Sequence, residues 1–563
     1  MSRGKPQFLA IGLLALACLA GRPAHAAADR SQGRSMVVSR GGIVAAESPL
    51  AAQAGAMVLA HGGNAIDAIV ATNAVMGVVE PMMNGMGGDL FAMVYIAKTG
   101  KLYGLNASGW APAKLTIGFL KAKGITQMPE YGIDTVTVPG AVDGWSKLLA
   151  RFGTRKLADV LAPAIAYARD GFPVAEWDAG YWSDAAPTLR ADPNLSRTYL
   201  IDGHTPRVGE VFRNPDLARS LELVARGGRD AFYKGSIAGK IVDLSRQQGG
   251  AMTAADLADY SSEWVQPIAT TYHGWTVSEL PPNGQGIAAL MMLNIMERFP
   301  LARYGYHSAD ALHVMIEAKK LAYADLLRYV GDPRFSHIPV AGMLSKQYAA
   351  VRAALINMTR ANCNVAPGKP PAPAGDTTYL TAVDSQGNMV SLIQSNYEEF
   401  GSRLVADHAG FVLQDRGALF NLDPASPDAL AGHKRPLHTI IPGFMQRGDD
   451  RIAFGIMGGY NQAQAHAQFV SNIVDYGLDI QAAMEAPRFT KMTFNGCDVM
   501  MEDRIPEDVR QALAGRGHEI DLRGDYSEEM GGGQAVMRDF KAGVNYGASD
   551  PRKDGEAIPE PER

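Results

Sequence analysis

The chain has 563 residues, 47% of them hydrophobic and 20% charged, which is enough apolar material for a large packed core and excludes general disorder. Its 53 Lys and Arg against 58 Asp and Glu leave a net charge of −5 with no basic cluster, so the electrostatic footprint of a nucleic-acid binder is absent. Glycine and proline are frequent, at 61 and 32, without the period of a fibrous chain, and a mixed globular enzyme class remains.

The first 28 residues differ from everything after them. Arg3 and Lys5 precede the apolar run from Phe8 to Ala20, and small residues follow at Ala24 and Ala26. This is the layout of a secretory signal cut after Ala26, and a run of 13 residues is too short to span a hydrocarbon core of roughly 30 Å. Lipidation at Cys18 is the alternative, although Ala-Leu-Ala before it matches a lipobox poorly. The mature protein is expected to be periplasmic or secreted, with no membrane contact beyond export. Removing the signal leaves Cys363 and Cys497, too few for a disulfide framework and without zinc spacing; one bridge between them is permitted and not demanded.

Residues 50 to 79 read as two Ala-rich helical segments broken at HGGN, with Gly62 and Gly63 ending one and Asn64 placed to cap the next. NGMGGD from Asn84 precedes a strand, whereas a dinucleotide loop lies between a strand and a helix, so no nucleotide cofactor is expected. FAMVYIA and LYGLN, joined by Lys98–Lys101, predict a hairpin. The run GIAALMMLNIM from Gly286 has 11 residues, too few for a transmembrane helix. Ala309 to Val330 predicts a long helix capped by Ser308; His313 on it reads as a packed or solvated residue, and with no His-Glu-x-x-His no metal is expected.

From Ala366 to Asp376 the chain reads APGKPPAPAGD, which is neither helix nor central strand and marks a boundary on the surface. TTYLTAVDSQGNMVSLIQS follows, a hairpin beginning at Thr377 with its turn at Asp384–Gly387. A hydroxyl residue opening a strand after an exposed lead suits an N-terminal nucleophile, whose freed α-amine serves as base for its own side chain. On local pattern alone, a purely structural Thr377 stays open.

The wider sequence resembles the γ-glutamyltransferase family. The block from Thr377 to Leu392 and Phe400-Gly401-Ser402 match the start of that family's small subunit; VPGAVDGW from Val138, LPPNGQG from Leu280, MGG from Met457 and EAPRF from Glu485 continue the likeness in one order over roughly residues 40 to 555. The resemblance implies an α+β, N-terminal-nucleophile fold: a four-layer αββα sandwich made as one precursor. It also implies self-cleavage between Asp376 and Thr377, into a large subunit of residues 27–376 and a small subunit of 377–563, interleaved with one another. It implies Thr377 as nucleophile, Gly458 and Gly459 as a backbone oxyanion hole, and Ser395 as a support for the nucleophile's amine.

Substrate recognition departs from the family pattern. Ser108 in SGWAP stands where the family places the Arg that pairs with a donor carboxylate. Tyr397 and Leu419 replace the Asn and the acidic residue that hold the ammonium, and His438 and Thr439 replace a serine pair. Arg416, in QDRGALF, is the candidate replacement anion clamp, with a surface arginine as the alternative. Segments such as SLIQSNY, KRPLHTIIPG and GASDPRKDG resemble the amidohydrolase and acylase branch, which includes oxamate- and cephalosporin-acylase-like proteins. The expected activity is transfer or hydrolysis of the acyl group of a small-molecule or peptide amide, γ-glutamyl or related, without a cofactor. The alternatives are an amidohydrolase of oxamate- or glutaryl-type amides and a non-catalytic binding protein on the same fold.

Overall fold

The computed structural model describes residues 32–366 and 376–561. The expected signal segment, Cys18 and most of the proline-rich boundary lie outside the described residues. Two seven-stranded sheets dominate the rest, and every pairing within them is antiparallel. One runs Val37–Ser39, Val544–Ser549, Gly533–Asp539, Asp450–Ile456, Gly443–Arg447, Trp275–Glu279, Ile268–Tyr272. The other runs Glu556–Pro559, Ile43–Ala46, Asp376–Val383, Met389–Tyr397, Asp89–Ile96, Lys101–Ala107, Glu263–Val265. Each sheet therefore draws strands from both sides of residue 377.

Alternation along the strands assigns the faces. In Met389–Tyr397, Val390 and Leu392 turn outward to a core shared with the helices Pro49–Ala60 and Ala65–Val79, while Met389 and Ile393 turn inward to Tyr379, Phe444 and Ala453 between the sheets. On the far side, Phe454 and Ile456 pack against the helices Gly286–Met296, Ala309–Tyr329 and Asn461–Val474. The layers are helix, sheet, sheet, helix, and the expected αββα sandwich is what the chain adopts.

Local chemistry sets the element ends as the sequence predicts. Asn64 accepts from the amides of Ile66 and Asp67 at 3.0 Å each, and Asp67 returns a bond to the Asn64 amide, a complete capping box. Ser308 caps Ala309–Tyr329 through the Ala311 amide. In the central hairpin, Asp384 Oδ1 accepts from the amides of Gln386 and Asn388, and Gly387 takes the left-handed φ of +85° that closes the turn. The apolar helix Gly286–Met296 is buried, and among the described residues no helix is long and apolar enough to cross a membrane. Cys363 and Cys497 are joined by a disulfide.

The two sheets come into close contact at Gly455. A Cβ there would lie 2.4 Å from the ring of Tyr379, whose hydroxyl is 2.9 Å from Ser391 Oγ; Ser391 in turn donates to the Phe454 carbonyl at 3.3 Å. Tyr379 is fully buried and cannot retreat. Gly455→Ala is therefore expected to lower stability by about 1–3 kcal/mol, as overpacking does, read by urea unfolding of the variant and the parent; equal midpoints would mean that the sheets separate freely.

Candidate active site

The strand Asp376–Val383 starts beside the end of Met389–Tyr397. The register pairs Thr378 with Gln394 and Asp376 with Tyr397, so Thr377 alone lies opposite two residues, Ser395 and Asn396. A bulge of this kind ends regular pairing and re-aims the chain locally. Tyr397 has φ of +86°, a left-handed conformation that is strained for a bulky side chain. Ser395 Oγ accepts from the Tyr397 amide at 2.8 Å and so stabilises this bend.

The glycine-rich loop before Asp89 fits against the same bend. A Cβ on Gly88 would lie 2.5 Å from the Ser395 carbonyl oxygen and one on Gly87 would lie 1.9 Å from that of Val412, so these positions admit no side chain. The loop is a close-packing device.

Asp89 opens the strand next to Ser395 and is fully buried. Its Oδ1 accepts from the Gly109 amide and Gln414 Nε2, both at 2.7 Å, and its Oδ2 lies 2.8 Å from His438 Nε2. The Ile440 amide donates to His438 Nδ1, which leaves Nε2 as the protonated nitrogen facing Asp89. Burial, helped by the nearby Arg416 charge, pushes His438 down to about 4 despite the Asp89 carboxylate, so the ring is neutral at pH 7.

Arg416 is also fully buried. Its Nη1 donates to Thr439 Oγ1 at 2.6 Å and its guanidinium carbon lies 4.4 Å from the centre of the Tyr397 ring. Among the described residues, Nε and Nη2 have no hydrogen-bond partner. Burial lowers the pKa of Arg416, and burial raises neighbouring Asp415 to about 7. The surface-arginine alternative is thereby excluded.

Gly458 and Gly459 follow the strand Asp450–Ile456 with φ of +115° and +53° and lead into the helix Asn461–Val474. Within the described residues no hydrogen bond uses either amide, and both sit where the helix dipole is positive. Gln285 Nε2 bonds the carbonyls of Thr439, at 2.5 Å, and Gly459, at 2.8 Å, while Tyr323 donates to the Tyr460 carbonyl at 2.5 Å. An unbroken series of contacts thus runs from Gly459 through Gln285, Thr439 and Arg416 to Tyr397, the residue paired with Asp376.

Tyr397 and Leu419 line a cleft of about 640 Å³ with Lys121, Tyr131, Glu398 and Asn421. Ser108 does not line it. Its hydroxyl accepts from Asn283 Nδ2 at 3.0 Å, and the Asn283 carbonyl accepts from the His438 amide, so Ser108 stands one residue behind the site. Arg416, His438 and Thr439 are likewise fully buried and are not on the cleft wall. Of the residues expected to bind substrate, Tyr397 lines this cleft, and Ser108, Arg416, His438 and Thr439 do not.

Asp89, Gln285, Asn283 and Gln414 had no assigned role in the sequence. The available signal was a carboxylate opening the otherwise apolar strand DLFAMVYI. Among the described residues, His313, Glu317 and His518 are grouped closely enough for a cation. Glu317 is already paired with Lys320 at 2.7 Å and the two rings hydrogen-bond at 2.8 Å, so the group is satisfied without one.

Comparisons with known proteins identify the family. The family model described as Gamma-glutamyltranspeptidase matches residues 51–560. The chain is 36% identical over 514 residues to the glutathione hydrolase-like YwrD proenzyme of Bacillus subtilis (strain 168), covering 90% of this chain and 96% of that protein. It is 35% identical over 531 residues to the acylase ACY 1 proenzyme of Pseudomonas sp. (strain SE83), covering 92% and 93%. The crystal structure of cephalosporin acylase from Bacillus halodurans superposes with a TM-score of 0.89 at 42% identity, covering 94% of this chain and 98% of that one. The chain belongs to the gamma-glutamyltranspeptidase family and is an enzyme of the N-terminal-nucleophile hydrolase type.

The buried neutral His438 has a consequence for stability. Its folded pKa lies below the unfolded value of about 6.5, so the stability it preserves is complete above pH 6.5 and is lost as pH falls toward 4, by up to about 1.4 kcal/mol per pH unit. Asp415, raised to about 7, changes in the opposite sense over the same range. The comparison that isolates His438 is wild type against His438→Asn in denaturant unfolding at pH 7, 6 and 5, where the wild type is expected to lose more. Parallel slopes would show an ordinary histidine.

Proposed function

We propose that this family member is exported, cuts itself between Asp376 and Thr377, and hydrolyses amides whose acyl group ends in a carboxylate and carries no α-ammonium. The observation that carries the substrate reading is Arg416: a fully buried guanidinium with two nitrogens unpaired among the described residues, stacked on Tyr397, whose side chain lines the cleft. A carboxylate presents two oxygens in the geometry that a guanidinium matches. Leu419 on the cleft wall offers nothing to an ammonium, whose desolvation without a partner is penalised more than that of a methylene. Among relatives named as glutathione hydrolase-like and as acylase, this pocket favours the acylase side. Export is supported by the basic, apolar and small-residue order of the first 26 residues.

The proposed chemistry uses this chain's own groups. In the precursor the Thr377 hydroxyl attacks the Asp376 carbonyl, the peptide nitrogen leaves as the new α-amine, and water hydrolyses the resulting ester. In the processed enzyme that amine takes the hydroxyl proton as the oxygen attacks the substrate amide. The negative charge that develops on the carbonyl oxygen falls to the amides of Gly458 and Gly459, where loss of one donor costs about 3–4 kcal/mol of barrier. The proton passes to the departing amine, and water then releases the acid from the Thr377 ester. Ser395, by holding the Tyr397 bend, keeps the strand ends in place for both reactions.

Thr377→Ala is expected to remain a single chain on a reducing gel and to be inactive, since one residue supplies both the self-cleaving oxygen and the later base. Processing in that variant would sink the assignment. For specificity, the processed protein is expected to hydrolyse a glutaryl anilide faster than γ-glutamyl-p-nitroanilide, and Arg416→Gln to lower kcat/KM for the glutaryl substrate about 10- to 100-fold, the usual worth of a charged hydrogen bond. Micromolar KM for glutathione with no use of glutaryl amides would reverse the reading.

A further inference from the structure

We propose that the Cys363–Cys497 disulfide is an inter-chain bond in the mature protein, so that the two subunits are covalently tethered. This rests on the cleavage before Thr377 proposed above. The bridged residues are 134 apart in sequence, and the Asp376–Thr377 bond lies between them, 13 residues after Cys363. In the precursor the bridge closes a loop that contains the scissile bond. Once that bond is cut, the loop opens and the same bridge joins the large subunit to the small one.

The surroundings favour a fixed seat for this link. The Ala361 amide donates to the Arg516 carbonyl at 2.7 Å and the Gly496 amide donates to the Cys363 carbonyl at 2.9 Å, so the end of the large subunit pairs with small-subunit backbone on both sides of the bridge. Glu317 Oε2 accepts from the Asn362 amide, and Lys320 Nζ donates to the Asn362 carbonyl and lies 3.7 Å from Cys497 Sγ. His313 bridges the Asn357 carbonyl and His518. These side chains come from the helix Ala309–Tyr329, which also carries Tyr323, the residue that bonds the Tyr460 carbonyl next to the Gly458–Gly459 turn. The tether is thus seated on the helix that braces the proposed oxyanion site.

Forming the bridge removes two electrons and two protons from the thiols. A disulfide-bearing oxidant of the kind that exported chains meet accepts them and becomes a dithiol. A tether of this length keeps the subunits at a millimolar effective concentration whatever the dilution, which makes their reassociation unimolecular.

The test is a denaturing gel of the purified full-chain product, quenched with iodoacetamide and run with and without reductant. The expected result is one band without reductant and two with it, at the sizes of about residues 27–376 and 377–563. Cys497→Ser is expected to give two bands without reductant. After partial unfolding in urea and 100-fold dilution, that variant should lose most of its activity where the wild type keeps it. Two wild-type bands without reductant would overturn the tether while leaving the cleavage intact. A single wild-type band under both conditions would overturn the cleavage reading, and the inter-chain tether with it.

Discussion

Two twisted sheets stacked face to face can place the end of one strand against the end of another only where their backbones are allowed to come close. In this chain one such approach is made at Gly455, under the Tyr379 ring, between the strand Asp376–Val383, which contains Thr377, and the strand Asp450–Ile456, which Gly458 and Gly459 follow. A residue two positions before the contact on one strand and residues three and four positions after it on the other are thereby held at fixed separations. Everything assigned to the site depends on that spacing, because an amine, a hydroxyl and a pair of backbone amides act together only when geometry is set in advance.

The site also buries charge to an extent that needs compensation. Asp89 is answered by a backbone amide, Gln414 and a neutral His438, and Arg416 by Thr439 and the face of Tyr397. The count is incomplete on the Arg416 side, where two nitrogens lack partners among the described residues. Buried donors left unpaired cost free energy in the empty protein, and an anionic group that meets them recovers it on binding. The proposed preference for a carboxylate-ended acyl group follows from that imbalance.

The same fold would hold together the two chains that the proposed cleavage makes. Both sheets contain strands from each side of residue 377, so separating the two proposed subunits would mean dismantling both. The bridge between Cys363 and Cys497 adds a covalent link at the rim, on the helix whose Tyr323 reaches toward the glycine turn. Interleaving resists separation while the chains are folded, and a disulfide acts on the unfolded pair as well.

Much of this was legible in the residues alone. Helix caps at Asn64 and Ser308, the hairpin turn at Asp384–Gly387 and the ends of Ala309–Tyr329 follow from short-range chemistry, which a sequence states directly. The motif run around Thr377 and Met457 likewise identified the family, and with it the layers of the sandwich. Tertiary structure decided the rest, since the decisive partners are far apart along the chain. Asp89 meets His438 across 349 positions, Asn283 meets Ser108 across 175, and Cys363 meets Cys497 across 134. The bond from Asn283 to the Ser108 hydroxyl and the complete burial of Arg416 belong to this class, since neither has a local cause. Local pattern specifies backbone conformation, because its causes lie within a few residues. Burial and pairing of side chains depend on which strands the fold brings face to face, and no window of sequence contains that.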